Sequence, residues 1–414
     1  MGTRTGAAQG AGRGHGFDTS PVFLAAVCTI LGAILFLRFG YAVAHVGLLG
    51  SFLIILIGHL ITVPTAMAIA EIATNLRVEG GGEYFIISRS FGPLVGGTIG
   101  ISLYLSQAIS IAFYMIAFSE AFRPLFARFP GFMGGSPDVR FVGVPAAVLL
   151  MAFMIYKGAG LGVRALWVVA AVLGTALVFF FLGKPLSQQP SLIVSRTVAH
   201  PDDFFKVFAI VFPAFTGMTA GVGLSGDLKN PRRSIPLGTL SATFFGMIVY
   251  VFVVLKLASS ASPEELASDS LIMSRLALWG PIIPIGLAAA TLSSAIGSAL
   301  IAPRTMQALA SDRIFPGTRV NAFLRRGEGR VNEPRNASLV TAALALFFVS
   351  IGSIDFVAQV ISMFFMITYG ALCSVSFLEH FAGSPSYRPT FRSRWFVSLV
   401  GAVICFIMMF QMQP

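Results

Sequence analysis

The stretch of the chain with the clearest potential for chemistry is residues 208–236, FAIVFPAFTGMTAGVGLSGDLKNPRRSIP, a hydrophobic run with helix-breaking residues at its centre. Pro213 has no backbone N–H to donate, and Thr216 and Gly217 follow it as a polar, flexible joint. We therefore expect two half-helices that meet inside the membrane, one ending in free carbonyls and the other beginning with free amides. Carbonyls suit a cation and amides suit an anion, so the stretch predicts an ion site; an ordinary proline kink is the alternative.

The first hydrophobic run, residues 21–47, carries a second candidate break between Thr29 and Gly32. It lies five predicted spans before the break at Pro213, and the two runs cross the membrane in opposite directions. Such a pair is typical of an inverted repeat with a binding site at mid-depth. A single glycine in a membrane helix more often serves packing, so the inference depends on the pairing of the two breaks.

Two charged residues, Arg38 and Glu120, lie inside hydrophobic runs. Arg38 is six residues beyond the first break, about 9 Å along a helix, and Glu120 is six residues beyond Tyr114 in the third run. An unpaired charge at this depth is costly, so we predict an Arg38–Glu120 ion pair that serves as an outer gate. The alternative is two long side chains that reach the membrane surface without meeting.

Small and hydroxyl-bearing residues cluster in the middle of the eighth run, from Ala290 to Ser294. Such clusters usually allow close helix packing, but together with carbonyls of the first break they would form an oxygen cage for a small cation. Tyr369 in the tenth run is placed to direct its hydroxyl toward the amides of the sixth-span break. A tyrosine at the membrane interface is the alternative.

Composition assigns the chain to the multi-spanning membrane proteins. Of its 414 residues, 56% are hydrophobic and 11% are charged, and the mean hydropathy is +0.84. The apolar runs are continuous rather than alternating, which predicts helices and excludes a β-barrel. The predicted fold is an all-α polytopic membrane protein with an inverted five-plus-five helix repeat and broken first and sixth transmembrane helices. The eleven predicted spans are residues 21–46, 48–74, 93–122, 139–156, 161–183, 203–225, 236–258, 280–309, 337–354, 356–381 and 395–413.

The predicted domains are a disordered cytoplasmic tail, residues 1–20, and a transmembrane domain, residues 21–414, with repeats near 21–183 and 203–381. The net charge is +11, and most basic residues fall in alternate loops, which indicates a cytoplasmic N-terminus. Contact with anionic lipid explains this charge, so nucleic acid is not an expected partner. The sequence offers no hydrolytic or redox constellation and no metal-ligand spacing of its three cysteines, so neither an enzyme activity nor a cofactor is expected.

Five sequence blocks resemble the cation-chloride cotransporter family, within the amino acid, polyamine and organocation superfamily. They are GAILFLR (32–38), ATNLRVEGGGEYFIISRS (73–90), FPAFTGMTAGVGLSGDLKNPRRSIPLGTL (212–240), ATLSSAIGSALIAPRTMQALASD (290–312) and NEPRNA (332–337). The resemblance runs from about residue 21 to the C-terminus, and the block at 212–240 is the most specific. It implies a secondary active symporter of the plasma membrane that couples Na⁺, with K⁺ as a further candidate, to Cl⁻ by alternating access.

The resemblance also implies the site residues, position by position. The chloride positions match the amides of Gly32, Ala33 and Ile34 and those of Gly217, Met218 and Thr219, with Tyr369 beside the second group. The potassium positions match Thr29, Ile30, Tyr114, Pro213 and Thr216, and the sodium positions match Cys28, Leu31, Ala290, Ser293 and Ser294. The outer gate of the family matches Arg38 and Glu120, the pair that charge and depth also predict.

Three features depart from the family pattern. Thr29 replaces the usual asparagine at the potassium position, which puts potassium binding in doubt. Leu31 stands where sodium-coupled animal members have tryptophan, but the contact there is a backbone carbonyl. The chain also lacks the twelfth span and the large cytoplasmic C-terminal domain of animal members, so we expect a minimal microbial form, a truncated form or an incomplete chain.

Two other functions remain open from the sequence. An amino acid or polyamine permease of the same superfamily would bind a carboxylate or an amine at the broken helices, but such permeases usually have a glycine-rich first break and only Gly32 is present here. A non-transporting regulatory membrane subunit is the second alternative. The expected partners are Na⁺, K⁺ and Cl⁻ as substrates and the lipid bilayer, and a homodimer is left open.

Overall fold

The computed structural model describes residues 18–75, 83–127, 138–157, 163–186, 196–222, 228–329, 332–382 and 387–412. Their regular structure is helical, apart from a bridge residue at Leu228 and an isolated bridge between Glu328 and Glu333. The helices are α1 (Thr19–Ile30), α2 (Ala33–Leu37), α3 (Phe39–Asn75), α4 (Glu83–Glu120), α5 (Arg123–Ala127), α6 (Arg140–Lys157), α7 (Val163–Leu182), α8 (Phe204–Val211), α9 (Thr219–Val222), α10 (Pro231–Ser260), α11 (Pro263–Ser268), α12 (Ile272–Leu276), α13 (Ile282–Ser311), α14 (Thr318–Leu324), α15 (Arg335–Ile351), α16 (Ile354–Ala382) and α17 (Trp395–Met412). A 3-10 helix, Phe212–Phe215, follows α8. The prediction of an all-α protein is confirmed.

Each predicted span overlaps helical residues of the structure, and the first and sixth are each divided among several helices. Within the described ranges, nine helical stretches are long and apolar enough to cross a membrane: Thr19–Leu37, Phe39–Asn75, Val95–Phe126, Ala165–Leu182, Phe204–Gly221, Arg232–Ser260, Ile282–Ser311, Ile354–Ala382 and Trp395–Met412. Two shorter apolar helices, Arg140–Tyr156 and Arg335–Ile351, match the fourth and ninth predicted spans. All nine long stretches and both shorter helices overlap predicted spans, and the number of eleven spans stays a prediction.

Two glycines mark where long helices bend. Gly47 has a φ of 69° within α3 and separates the end of the first span from the second span, and Gly92 has a φ of 78° within α4 at the start of the third span. Glycine adopts such positive φ values without steric penalty. Helix α1 begins at Thr19, so the last two residues of the predicted tail are helical, and residues 1–17 lie outside the described part.

Both predicted helix breaks are present. In the first span, Leu31 N–H still bonds to Val27 O at 2.9 Å, and the chain leaves the helix at Leu31 and Gly32 before α2 begins. In the sixth span, Pro213 lies in the 3-10 helix, and residues 216–218 separate that helix from α9. Pro213 has no N–H to donate, and the 3-10 turn pairs backbone groups three residues apart instead of four. The sixth span therefore cannot continue as one α-helix. These breaks confirm the pattern of broken first and sixth helices.

The broken spans lie at the centre of the bundle. Of the residues in the most apolar part of the first span, 83% are buried, compared with 22% in the fifth span and 28% in the eleventh. The third and eighth spans (α4 and α13) form the most extensive helix pair, and α1 packs against α10 and α9. We call the end of the bundle that carries Arg38, Glu120 and Asp355 the outer end, and the end that carries Glu71 and Ser393 the inner end.

At the outer end, Asp202 joins the first span to the start of the sixth. Its carboxylate accepts hydrogen bonds from Lys206 Nζ at 2.6 Å and from the Tyr41 hydroxyl at 2.5 Å, and its backbone N–H donates to His45 Nδ1 at 2.8 Å. The bond from Lys206, and then that from Tyr41, holds the pKa of Asp202 below its usual range. This contact therefore stabilises the fold above pH ~4, and the stabilisation is lost as the pH falls through the lowered pKa.

At the inner end, Glu71 of α3 is fully buried. Its Oε2 accepts from Ser376 Oγ at 2.9 Å, from Ser393 Oγ at 2.5 Å and from Ser393 N–H at 3.3 Å, and its Oε1 lies 3.6 Å from His380 Nε2. A buried carboxylate is costly without such partners. The second span, the tenth span and the segment before the eleventh are therefore fastened together at Glu71.

We expect Glu71→Ala to lower the free energy of unfolding by about 2–5 kcal/mol, because it removes the buried carboxylate that accepts three hydrogen bonds from Ser376 and Ser393. Chemical denaturation of the purified protein in detergent measures this change. Glu264→Ala, at an exposed glutamate, is the matched control and should leave the free energy of unfolding within about 0.5 kcal/mol of its original value. Equal losses in the two variants would contradict the role of Glu71.

Candidate functional site

The two helix breaks touch each other in the middle of the bundle. A methyl group added at Gly217 would lie 2.6 Å from Ile30 N and 2.9 Å from Thr29 Cβ, closer than real contacts allow. Glycine is needed at this position because the backbone of the first break approaches it directly. The site therefore begins where the sixth-span joint lies against the end of α1.

A small cavity adjoins this contact. Its volume is about 20 Å³, above the roughly 10–15 Å³ that one water molecule needs. Five predicted site residues line it together: Thr29, Tyr114, Thr216, Thr219 and Ser294. The cavity therefore brings together residues of the first, third, sixth and eighth spans that lie as much as 265 positions apart in the sequence.

The cavity has hydroxyl and carboxamide groups beside apolar side chains in its lining, and none of its described lining residues is charged. Besides the hydroxyls, it is lined by the carboxamide of Gln107 and by Ser298, whose Oγ lies 3.1 Å from Gln107 Oε1. Both side chains are buried. Neutral oxygens and N–H groups of this kind can hold an ion without a fixed opposing charge, which permits release as well as binding.

The predicted potassium residues divide into two groups. Thr29, Tyr114 and Thr216 line the cavity, whereas Ile30 and Pro213 do not. The Ile30 carbonyl accepts a hydrogen bond from the Tyr250 hydroxyl, and the Pro213 carbonyl accepts one from Thr216 Oγ1 at 2.9 Å. A carbonyl oxygen has two lone pairs, so the Ile30 carbonyl remains able to accept a second interaction, whereas the Pro213 carbonyl also accepts from the Thr216 N–H at 3.3 Å.

The predicted sodium residues are not equivalent in the structure. Ser294 lines the cavity, and its Oγ is buried without a hydrogen bond of normal geometry to the described residues, although the Tyr114 side chain lies beside it. Ser293 is only half-buried and, like Cys28, Leu31 and Ala290, does not line the cavity. Of the two adjacent serines, only Ser294 therefore presents its hydroxyl to the cavity.

The predicted chloride residues lie at the starts of α2 and α9. Gly32, Ala33 and Ile34 are buried at the beginning of α2, and Gly217 and Met218 precede Thr219 at the beginning of α9. The first amides of a helix have no carbonyl partner within it. The Tyr369 hydroxyl does reach the sixth-span break, where it donates to the Thr216 carbonyl at 2.8 Å.

The predicted ion pair between Arg38 and Glu120 is replaced by two other pairs, and this prediction is corrected. Arg38 Nε lies 2.5 Å from Asp355 Oδ1, and Arg123 Nε lies 2.8 Å from Glu120 Oε2. Asp355 is in the first turn of α16 at the outer end, and Arg123 is one turn beyond Glu120, so each residue has a nearer partner than the predicted one. Glu120 nevertheless remains within electrostatic range of both Arg38 and Asp355.

Sequence reasoning missed three features of the site: Asp355, Tyr250 and the Gln107–Ser298 pair. Asp355 is a single acidic residue at the start of an apolar run, and Tyr250 is a single polar residue in the middle of the seventh span. Isolated polar residues in membrane spans are signals of this kind. Their partners, however, depend on how distant helices pack, which local sequence does not reveal.

Comparison with known proteins identifies relatives along the whole chain. The amino acid permease family model matches residues 22–413. Solute carrier family 12 member 1 of Mus musculus is 31% identical over 444 residues, covering 94% of this chain and 40% of that protein. Solute carrier family 12 member 2 of Squalus acanthias is 32% identical over 445 residues, covering 94% of this chain and 37% of that protein. The chain thus spans about two fifths of the length of these relatives.

Among solved structures, the crystal structure of MhsT in complex with L-phenylalanine is similar, with a TM-score of 0.61 and 15% sequence identity. The likeness covers 97% of this chain and 100% of that one, and it shows a shared fold. The relatives in solute carrier family 12 agree with the resemblance to cation-chloride cotransporters that the sequence blocks indicate. Since the family match extends over nearly its whole length, the chain belongs to the amino acid permease family.

Proposed function

We propose that the protein is a secondary active symporter that couples Na⁺, with K⁺ as a further candidate ion, to Cl⁻ by alternating access. The observation that carries the proposal is the direct contact of the two breaks, with Gly217 against Ile30 and a small hydroxyl-lined cavity beside it. Carbonyl ends and amide starts of half-helices meet there. Such an arrangement offers places for both signs of charge within one site.

The size of the cavity favours ions over amino acids. Pockets for small organic ligands typically occupy about 300–1,000 Å³, whereas this cavity holds about 20 Å³. The solved structure of MhsT contains L-phenylalanine, but a ligand of that size does not fit between breaks that already touch. The small volume and the neutral lining therefore support an inorganic ion as substrate.

The oxygens around the cavity suit a small alkali cation. Sodium is a hard ion that prefers several oxygen ligands, and Ser294 Oγ, Thr29 Oγ1 and the Tyr114 hydroxyl are all available here. Thr29 Oγ1 donates to Ala25 O at 3.0 Å, which leaves its lone pairs free for a ligand. Chloride is assigned to the amides at the starts of α2 and α9.

The proposed mechanism divides the bundle into a fixed part and a moving part. The third and eighth spans pack most extensively and supply Tyr114 and Ser294, whereas the first and sixth spans are interrupted beside the cavity. Breaks of this kind let a half-helix tilt without unfolding the rest of the span. The resemblance to cation-chloride cotransporters supports a place in the plasma membrane. The concentration of basic residues in alternate loops supports a cytoplasmic N-terminus.

Radiotracer uptake in proteoliposomes tests this function. We expect saturable chloride uptake that requires sodium and stops when gluconate replaces chloride. Uptake of amino acids or polyamines without chloride dependence would favour the permease alternative. If the protein is folded but its proteoliposomes take up every solute no faster than liposomes without protein, the result would instead favour a non-transporting subunit.

The sodium assignment predicts different effects of two neighbouring substitutions. We expect Ser294→Ala to raise the sodium concentration for half-maximal chloride uptake about ten-fold, because it removes a cavity oxygen worth roughly 1.4 kcal/mol. Ser293→Ala, at a residue outside the cavity, is the matched control and should change that concentration less than two-fold. Equal uptake by the unmutated protein in sodium-free potassium buffer would mean that sodium is not the coupling ion.

The chloride assignment predicts a role for the Tyr369 hydroxyl. On chloride binding the Tyr369 hydroxyl would turn its one proton from the Thr216 carbonyl to the anion. We expect Tyr369→Phe to raise the chloride concentration for half-maximal uptake about ten-fold or more, since a hydrogen bond to an anion contributes roughly 1.5–3 kcal/mol. Tyr104→Phe, which removes a buried hydroxyl 3.5 Å from Thr341, controls for the loss of a tyrosine hydroxyl elsewhere. Chloride dependence that stays the same in Tyr369→Phe would exclude this tyrosine from the anion site.

The outer pair predicts coupling between two residues 317 positions apart. We expect Arg38→Ala and Asp355→Ala each to reduce uptake, and the double variant to lose less than the sum, with a coupling energy of about 0.5–3 kcal/mol. Each single change leaves the other charge without its partner. The cycle of Arg38 with Glu120 should give a smaller coupling energy, and purely additive effects for Arg38 with Asp355 would show that this pair does not act in transport.

A further inference from the structure

Tyr250, in the middle of the seventh span, contacts both helix breaks at once. Its hydroxyl lies within hydrogen-bond distance of the Ile30 carbonyl and 2.8 Å from the Ala214 carbonyl. Ile30 is the last residue of α1, and Ala214 lies in the 3-10 helix before the sixth-span break. Tyr250 is not among the residues predicted to bind an ion.

The two carbonyls share a single proton. A tyrosine hydroxyl has one hydrogen to donate, whereas both carbonyl oxygens only accept. Without a donor between them, two buried carbonyl oxygens that face the same point would repel each other and lose hydrogen bonding. The Tyr250 hydroxyl therefore holds the end of α1 and the sixth-span turn at a fixed separation.

The ring of Tyr250 is itself fixed by its neighbours. It is completely buried, stacks on Phe39 with ring centroids 4.8 Å apart, and meets Phe215 edge-on at 5.3 Å. One turn earlier, a methyl group at Gly246 would lie 2.5 Å from Ile30 Cγ2, so the seventh span approaches the first break closely at this level. The packing of the ring therefore fixes the position of the hydroxyl.

We propose that Tyr250 is a positioning residue for the cation site, acting through the Ile30 and Ala214 carbonyls to keep the two breaks in register. The proposal rests on the proposed function, because its consequence for transport is a change in cation affinity. Ile30 belongs to the potassium positions, and its neighbour Leu31 belongs to the sodium positions. The oxygens assigned to the cation come from both breaks, so they move apart if the breaks separate. The amides assigned to chloride form two groups, one at the start of α2 and one at the start of α9, and each group stays together.

Tyr250→Phe in proteoliposomes tests the transport consequence, because it keeps the stacked ring and removes only the hydroxyl. We expect the cation concentration for half-maximal chloride uptake to rise about three- to ten-fold, while the half-maximal chloride concentration at saturating cation changes less than two-fold. Tyr104→Phe should change neither value. A lower maximal rate with unchanged cation dependence is what a merely structural role would give, and it would overturn the proposal.

A second measurement does not depend on transport. Hydrogen–deuterium exchange of the purified protein should become faster in Tyr250→Phe at the last turns before both breaks, residues 28–31 and 214–216, and should stay unchanged there in Tyr104→Phe. Exchange that is unaffected at both breaks would overturn the positioning role. Faster exchange at both breaks, in a protein whose unmutated form shows no ion uptake, would support the positioning role and reject the proposed transport instead.

Discussion

Unpaired backbone groups at two helix breaks, deep in an apolar bundle, are the constraint on which the rest of this structure depends. Each such group is costly unless it finds a partner. Tyr369 bonds to the Thr216 carbonyl, Thr216 bonds to the Pro213 carbonyl, and Tyr250 serves the carbonyls of the last turns before both breaks. The hydrogen bonds from the two tyrosines therefore satisfy carbonyls at the breaks and also hold the seventh and tenth spans against the broken helices.

Close approach at glycine completes this arrangement. Gly217 lies against the end of α1, and a methyl group at Gly58 would lie 2.4 Å from a ring carbon of Phe215, so the second span also packs tightly on the sixth-span turn. The charged residues lie away from this centre, at Glu71 on the inner end and at Arg38 and Asp355 on the outer end. The middle of the bundle is left neutral and narrow, which suits a site that binds and releases small ions of both signs.

The parts of the fold that sequence could predict are those set by local chemistry. The breaks follow from Pro213 and from the glycines at 32 and 217, and the spans follow from continuous apolar runs. The partner of Arg38 could not be predicted, because Asp355 comes near it only after the first and tenth spans pack. The sequence also could not predict which of Ser293 and Ser294 faces the cavity, because the rotation of α13 decides it. The role of Tyr250 could not be predicted either, because its two carbonyl partners belong to different spans.

The central claim is that the two breaks form one shared site for a cation and an anion. Equilibrium binding of radioactive sodium to the purified protein, measured over a range of chloride concentrations, tests it most directly. If the site is shared, chloride raises the affinity for sodium, and sodium raises the affinity for chloride by the same factor, as thermodynamic linkage requires. Sodium binding that is independent of chloride, or that responds instead to an amino acid, would contradict the account.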